Sequence, residues 1–235
     1  MTENPTAFEA IAGFLLDDRR KIDGFSPDDY RLVELGCLLV MGDDSPELAV
    51  VFRHMLDVEG SAALAEAVLI HALGYLGAVR MRRAHALLLS ECMQTKTTLK
   101  HSAVAVIDTN REARVRAGSA LYDRFDPGRQ AKQAQKFEPL SSIYYPRAME
   151  LAGLVLASTE LPLRQRQLVT VAMLSCLGGQ TEQLRFHIGV ACRNEVSRDT
   201  LAGIFILVQA YAGLPRANTA AALALDVLSA SSASD

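Results

Sequence analysis

The chain has 235 residues, half of them hydrophobic, and a formal net charge of -3. Its length allows one or two domains with a sizeable core, and the balanced charge without a basic stripe argues against a nucleic-acid partner. No apolar stretch reaches the roughly 18 residues that a membrane span requires. The chain does not start with a basic segment followed by an apolar run, and its four cysteines form no CxxC pair. We therefore expect no signal peptide and a reducing, cytoplasmic location.

Helical periodicity dominates the chain, and the alternation typical of strands is almost absent. Residues 1–24 are expected to form an N-terminal helical extension. The pattern Ser26-Pro27-Asp28-Asp29 marks the start of a helix that ends at Gly42. Ser45-Pro46-Glu47 starts a second helix, and a third occupies residues 61–76. These signals predict an all-α fold.

The middle of the chain differs in composition. Residues 96–137 are charged and polar, with Asp126-Pro127-Gly128 as a turn, whereas residues 138–158 regain apolar character. We expect residues 96–158 to form a polar linker followed by a helix. The serine-rich residues 229–235 are predicted to be a disordered tail.

A unit of about 60 residues occurs twice, because residues 25–85 fall on residues 161–221 without a gap when shifted by 136 positions. Leu32-Val33 then aligns with Leu168-Val169, and Tyr75-Leu-Gly77 aligns with Tyr211-Ala-Gly213. We predict two tandem helical repeats, bounded at 25–95 and 159–228, that superpose as a pseudo-dimer. In the second repeat we expect helices at about 163–177, 182–193, 198–212 and 216–230.

The two repeats differ most in their second helix, which in the second repeat contains candidate catalytic residues. His187 lies on its apolar stripe, three residues after Leu184, and the matching position of the first repeat is Val51. Such a histidine is either a hydrogen-bonded core residue or a general acid/base with a pKa tuned by burial. Glu182 and Arg185 lie three residues apart on the same helix. They form either a helix cap and a surface ion pair or part of a catalytic set.

Other site classes receive little support. His71 lies one position off the apolar stripe of its helix, where a lone histidine is more often structural. No HxxxH or HExxH pair occurs, so no metal site is expected. No glycine-rich phosphate loop follows a strand, so nucleotide chemistry is not indicated.

Four segments of the second repeat stand in an order that characterises one family: Leu161-Pro-Leu-Arg164-Gln-Arg166-Gln-Leu168-Val169-Thr-Val-Ala172, Glu182-Gln-Leu184-Arg185-Phe-His187, Asn194-Glu-Val196-Ser197 and Tyr211-Ala-Gly213-Leu-Pro215-Arg-Ala217. They resemble a carboxymuconolactone decarboxylase domain over nearly all of residues 161–225. Residues 25–85 resemble a weaker second copy. The resemblance implies an all-helical fold, assembly in threes and sixes, and a cofactor-free active site between subunits. For a two-repeat chain it favours a homotrimer.

The same superfamily contains alkyl hydroperoxidase D-like enzymes, which use a CxxC followed by a histidine four residues later. Placed through His187, the two cysteine positions are Gln180 and Gln183, so the resemblance argues against peroxidase chemistry. The decarboxylases usually carry tryptophans before the Leu-x-x-Arg-x-Arg segment. This chain has no tryptophan, and Tyr144 and Tyr145 occupy that neighbourhood.

The resemblance implies a 4-carboxymuconolactone decarboxylase type of enzyme, a cofactor-independent lyase acting on a small carboxylated lactone or ring compound. In this hypothesis Arg185 binds the carboxylate and stabilises a dienolate, His187 delivers the proton, and Glu182 orients His187 or holds its charge. The predicted substrate-binding residues are Tyr144, Tyr145, His71 and Tyr211.

An alternative follows from the loss of the set in the first repeat, where Pro46, Ala49 and Val51 occupy the corresponding positions. Duplication followed by loss of one site also fits a biosynthetic isomerase or cyclase on the same fold. A non-catalytic protein that binds a small molecule fits equally.

Overall fold

The computed structural model describes residues 6–18, 25–42, 45–58, 61–99, 110–156 and 161–232. Within these ranges the chain forms helices and no strand, which confirms the predicted all-α fold. The helices are α1 (Ala7–Asp18), α2 (Pro27–Met41), α3 (Pro46–Leu56), α4 (Ser61–Leu76), α5 (Ala78–Thr95), α6 (Arg111–Phe125), α7 (Arg129–Phe137), α8 (Tyr144–Val155), α9 (Leu163–Leu177), α10 (Thr181–Arg193), α11 (Arg198–Ala212) and α12 (Leu214–Ser232). None of the described helices combines the length and the apolar character of a membrane span.

The helix bounds of the two repeats correspond at the 136-residue offset. The structure confirms the predicted helices of the second repeat. The bounds of α9 are the predicted ones, and the bounds of α10 and α11 agree with the prediction to within one residue at each end. Gly77 and Gly213 separate equivalent helices with nearly identical backbone angles, φ 79° and ψ 161° against φ 85° and ψ 163°. Only glycine adopts such a positive φ without steric cost.

Packing inside the repeats also recurs in the same register. Arg53 Nε of α3 lies 3.5 Å from Glu91 Oε2 of α5. At the equivalent positions, a Cβ built on Gly189 of α10 would lie 3.9 Å from Val227 Cγ1 of α12. The superposition of the two repeats as a pseudo-dimer stays a prediction.

The segment before the second repeat is more helical than its charge predicts. Asn110 caps α6 by accepting a hydrogen bond from the Ala113 N–H at 2.9 Å. The predicted turn at Asp126-Pro127-Gly128 then separates α6 from α7. The sequence analysis missed both helices because their apolar faces are narrow.

The helices group into two compact units. Unit 1 contains Met1–Met41 and Gln167–Asp235, and unit 2 contains Gly42–Arg166. Within unit 1, α2 packs against α11, so this unit joins the first helix of one repeat to helices of the other. Gly36 allows α2 to approach α9 closely, since a Cβ there would lie 3.2 Å from the Val169 carbonyl oxygen.

Unit 2 places its tightest helix crossing between α6 and α8. A Cβ on Gly118 would lie 2.0 Å from the Met149 carbonyl oxygen, and one on Gly153 would lie 2.0 Å from the Arg114 carbonyl oxygen. Beside this crossing, the carboxylate of Glu150 is 3% exposed and contacts three arginines: Arg111, Arg114 and Arg147.

The predicted terminal segments overlap the described ranges only in part. Within residues 1–24, α1 is helical, and residues 1–5 and 19–24 lie outside the described residues. The final helix α12 continues to Ser232, so it enters the segment 229–235 for which the sequence predicts a disordered tail. Residues 233–235 lie outside the described residues.

Candidate functional site

His187 is buried on the apolar face of α10 and is fixed by a side chain of α9. Its ring is 8% exposed, and Nδ1 lies 2.9 Å from Oε1 of Gln167. An amide oxygen only accepts hydrogen bonds, so Nδ1 carries a proton and donates it to Gln167. A neutral imidazole with its proton on Nδ1 has its lone pair on Nε2.

The amide nitrogen of Gln167 is the second polar atom of its side chain. The side chain is fully buried, and its Nε2 has no hydrogen-bond partner among the described residues. Leaving a buried donor unpaired costs about 1–3 kcal/mol. A polar atom of a bound molecule would remove that cost. The sequence analysis missed Gln167 because a glutamine in the first turns of a helix is usually solvated.

Glu182 and Arg185 are both exposed on α10, unlike His187. At about 100° per residue they lie roughly 60° apart, whereas Glu182 and His187 are about 140° apart. Arg185 donates through Nη2 to Asp226 Oδ2 of α12 at 3.0 Å. The structure thus places Glu182 and Arg185 on one face of α10 and His187 on another, with the charge of Arg185 balanced by Asp226.

Tyr211 of α11 is engaged with a buried carboxylate in unit 1. Its hydroxyl donates to Oε1 of Glu34 on α2 at 2.5 Å, and Glu34 is only 6% exposed. The Tyr30 hydroxyl contacts the same oxygen at 3.4 Å. The hydroxyl predicted to bind substrate therefore forms a charge-assisted hydrogen bond within the protein.

His71 belongs to a buried polar cluster in unit 2. It is fully buried, and its Nδ1 accepts a hydrogen bond from Nη1 of Arg166 at 3.2 Å. Arg166 also donates through Nη2 to the Leu161 carbonyl oxygen at 3.3 Å, and burial lowers the pKa of its guanidinium. The ring of Tyr75 lies 5.1 Å from the ring of His71. Since Nδ1 accepts, the neutral His71 ring carries its proton on Nε2.

Tyr144 and Tyr145 face different environments in unit 2. Tyr144 is 51% exposed, with its ring 5.3 Å from the ring of Phe137. Tyr145 is 7% exposed and stacks on Phe137 at 6.3 Å. Burial raises the pKa of Tyr145 to about 12, and its hydroxyl has no hydrogen-bond partner among the described residues. Tyr145 is therefore protonated at neutral pH and can donate a hydrogen bond but cannot act as a base.

The thiols of the chain lack the features of a redox centre. Cys37, Cys92 and Cys176 are buried, and Cys192 is partly buried. Burial raises the pKa of both Cys92 and Cys192, which lowers their thiolate fraction. No group of three potential metal-ligating side chains occurs within the part of the chain that the structure describes.

A cavity of about 370 Å³ lies in unit 1, at the start of α10 and α12. Its walls include the end of α9 and the connection through Gly178 and Gly179. Arg216 is its charged lining residue. The sequence analysis did not select Arg216, although it stands in the Tyr211–Ala217 segment of the family resemblance.

Comparison with known proteins finds similarity to one family in the second half of the chain. Residues 144–226 match the carboxymuconolactone decarboxylase family. A stretch of 75 residues is 39% identical to a 4-carboxymuconolactone decarboxylase of Acinetobacter baylyi, and it covers 32% of this chain and 55% of that relative. The chain therefore spans about half the length of the curated relative that it matches. The family match includes six of the seven predicted site residues, all except His71.

Proposed function

We propose that this chain, whose residues 144–226 match the carboxymuconolactone decarboxylase family, is a cofactor-independent lyase of the decarboxylase type. The proposed substrate is a small carboxylated lactone or ring compound. The observation that carries the proposal is the buried pair of His187 and Gln167, in which the amide oxygen of Gln167 fixes Nδ1 of the imidazole ring. The similarity to a 4-carboxymuconolactone decarboxylase supports the reaction class.

The proposed reaction needs an electron sink and a proton donor. Cleavage of the bond between the ring carbon and the carboxylate releases carbon dioxide and leaves the bonding electron pair on the substrate. A conjugated lactone carbonyl accepts that pair and forms a dienolate, so the substrate supplies the sink that a cofactor provides in other decarboxylases. Protonation of a carbon atom of the dienolate then completes the reaction.

The pair of His187 and Gln167 suits two tasks: delivery of the proton and stabilisation of the negative charge on the dienolate oxygen. With Nδ1 held by Gln167, protonated His187 delivers the proton from Nε2. The unpaired Nε2–H of Gln167 donates to the oxygen on which negative charge develops. Glu182 is exposed on α10 and, in an active site shared between subunits, acts on the substrate from a neighbouring chain, whereas Arg185 is paired with Asp226.

The test is the kinetic effect of His187→Ala on decarboxylation of 4-carboxymuconolactone and related ring carboxylates, measured as carbon dioxide release. Removing a general acid lowers kcat by about 100-fold or more. The control is Val51→Ala at the equivalent position of the first repeat, where the side chain is 4% exposed. This control lowers stability through lost core packing and leaves the kinetics unchanged.

Three results bear on the proposal. A large loss of kcat in His187→Ala with an unchanged circular dichroism spectrum supports it. Unchanged kcat/KM with only a lower melting temperature identifies His187 as a core residue and refutes it. Binding of the ring carboxylates without turnover by the wild type also refutes it and favours the non-catalytic binding protein.

A further inference from the structure

We infer that the cavity at the start of α10 holds the carboxylate of the substrate, with Arg216 as its cation. The inference rests on the proposed function, because it names the carboxylate-binding group for the substrate of that reaction. The described lining includes Leu184, three residues before His187 on α10, but not His187 or Gln167 themselves. It assigns the carboxylate to Arg216, a residue outside the set predicted from the sequence, and leaves Arg185 without that role.

The cavity has the size and lining of a small-molecule site. Its volume of about 370 Å³ lies within the range of ligand pockets, roughly 300–1,000 Å³. Leu184 and Leu223 contribute apolar surface on which a ring can lie. Gln180, Thr181 and Thr219 contribute polar side chains to the same walls. This combination fits a ring compound with one strongly polar substituent.

The charge of the lining favours an anion. Among the described residues that line the cavity, Arg216 is the only charged one and none is an aspartate or a glutamate. Its Nη1 lies 3.4 Å from the sulfur of Met41, a weak acceptor that leaves the charge uncompensated. Among the described residues no carboxylate forms a salt bridge with Arg216, whereas Arg185 is paired with Asp226 at 3.0 Å. Of these two arginines, Arg216 therefore binds a substrate carboxylate without first losing a partner.

The backbone at the cavity makes room for the guanidinium. Gly178 and Gly179 have φ of 69° and 75°, a region that other residues adopt only with strain. A Cβ on Gly178 would lie 3.4 Å from Nε of Arg216. Because Gly178 has no side chain, the space next to the guanidinium stays open.

The start of α10 adds donors on the same side of the cavity. In the first repeat, Ser45 closes the equivalent helix start by accepting a hydrogen bond from the Leu48 N–H at 3.2 Å. At α10, Gln180 makes no such side-chain hydrogen bond, and both Gln180 and Thr181 line the cavity. The positive end of the α10 dipole therefore reinforces the field of Arg216.

The ligand class follows from these features. A planar carboxylate matches the two parallel N–H donors of a guanidinium, and the attached ring packs on the leucines. Furan-2-carboxylate is a suitable probe because it has one ring and one carboxylate. Its methyl ester has the same ring without the charge, and inorganic phosphate has charge without the ring.

The experiment is isothermal titration calorimetry of the full chain with furan-2-carboxylate. The variants are Arg216→Gln, Arg216→Lys and Arg185→Gln, and the matched control is Arg80→Gln at the equivalent position of the first repeat. Loss of a charged hydrogen-bond donor weakens binding roughly 10- to 100-fold. We expect that loss in Arg216→Gln, partial recovery in Arg216→Lys, wild-type affinity in the other two variants, and no binding of the methyl ester.

The inference is overturned if Arg216→Gln binds furan-2-carboxylate as tightly as the wild type, or if Arg185→Gln alone loses binding. Equal affinity for inorganic phosphate overturns the assignment to ring carboxylates. The proposed function is tested separately, because His187→Ala changes turnover and not the binding of this unreactive probe. An intact His187 effect with unchanged binding in Arg216→Gln refutes the carboxylate site alone.

Discussion

Tyr211→Phe removes one oxygen and tests whether this residue stabilises the fold or contacts a substrate. In the structure its hydroxyl donates at 2.5 Å to the Glu34 carboxylate, which is 6% exposed. A hydrogen bond to a charged group contributes about 1.5–3 kcal/mol. Tyr30 cannot replace it, because its hydroxyl is 3.4 Å from the same oxygen. We therefore expect Tyr211→Phe to lower the free energy of unfolding by about 1.5–3 kcal/mol.

The matched control is Tyr30→Phe, which removes the longer contact to the same carboxylate. At 3.4 Å that contact is near the limit of a hydrogen bond, so we expect a loss below about 1 kcal/mol. Urea unfolding followed by circular dichroism at 222 nm measures both variants. For a chain of this length, 1 kcal/mol corresponds to about 2–4 °C in Tm.

Two outcomes contradict this reasoning. One is an unfolding free energy of Tyr211→Phe within about 0.5 kcal/mol of the wild type. The other is a loss in Tyr30→Phe that equals or exceeds the loss in Tyr211→Phe. A raised KM at unchanged stability identifies the Tyr211 hydroxyl as a substrate contact instead.

Four further predictions concern other parts of the molecule. The hydrogen bond from Arg114 is the main cause that lowers the pKa of Glu150 from 4.5. The ionised Glu150 therefore stabilises the fold above that pH, and this contribution is lost as the pH falls. Glu150→Gln should show a smaller drop in Tm than the wild type between about pH 5 and about pH 3, and an equal drop would contradict this. Gly118→Ala should lower the free energy of unfolding by about 1–3 kcal/mol or more, because its Cβ would lie 2.0 Å from a carbonyl oxygen of α8; unchanged urea unfolding would exclude the close crossing. Peroxide turnover with a dithiol reductant should be absent, and turnover that disappears in Cys192→Ser would show the reverse. Light scattering should give a homotrimer, and a stable 25.5 kDa monomer at micromolar concentration would refute it.

Local signals in the sequence predict the helices well. Capping bonds and glycine stops connect residues three or four positions apart, so the information lies within each segment. Ser45 caps α3 and Ser197 caps α11 through N–H groups three residues later. Gly77 and Gly213 stop equivalent helices at equivalent positions. The same signals predict the repeat, since a fixed offset preserves both caps and apolar periodicity.

Local sequence signals do not predict how the charged helix α6 packs. The composition of α6 predicts a solvated linker, yet Gly118 of α6 allows a close crossing with α8. In that crossing the α6 residue Arg114 binds the buried carboxylate of Glu150, 36 residues away in the chain. An arginine therefore has a buried partner that nothing in its own segment indicates.

The sequence by itself determined the helices and several candidate polar side chains on them, and the tertiary structure decided what each of these side chains contacts. His187 meets Gln167 from 20 residues away, His71 meets Arg166 from 95, and Tyr211 meets Glu34 from 177. Helical periodicity places a polar residue on a buried face but does not identify its partner, because the partner depends on which helices pack together. Burial then makes each of these bonds necessary, since an unpaired polar group inside the protein loses its hydration without compensation.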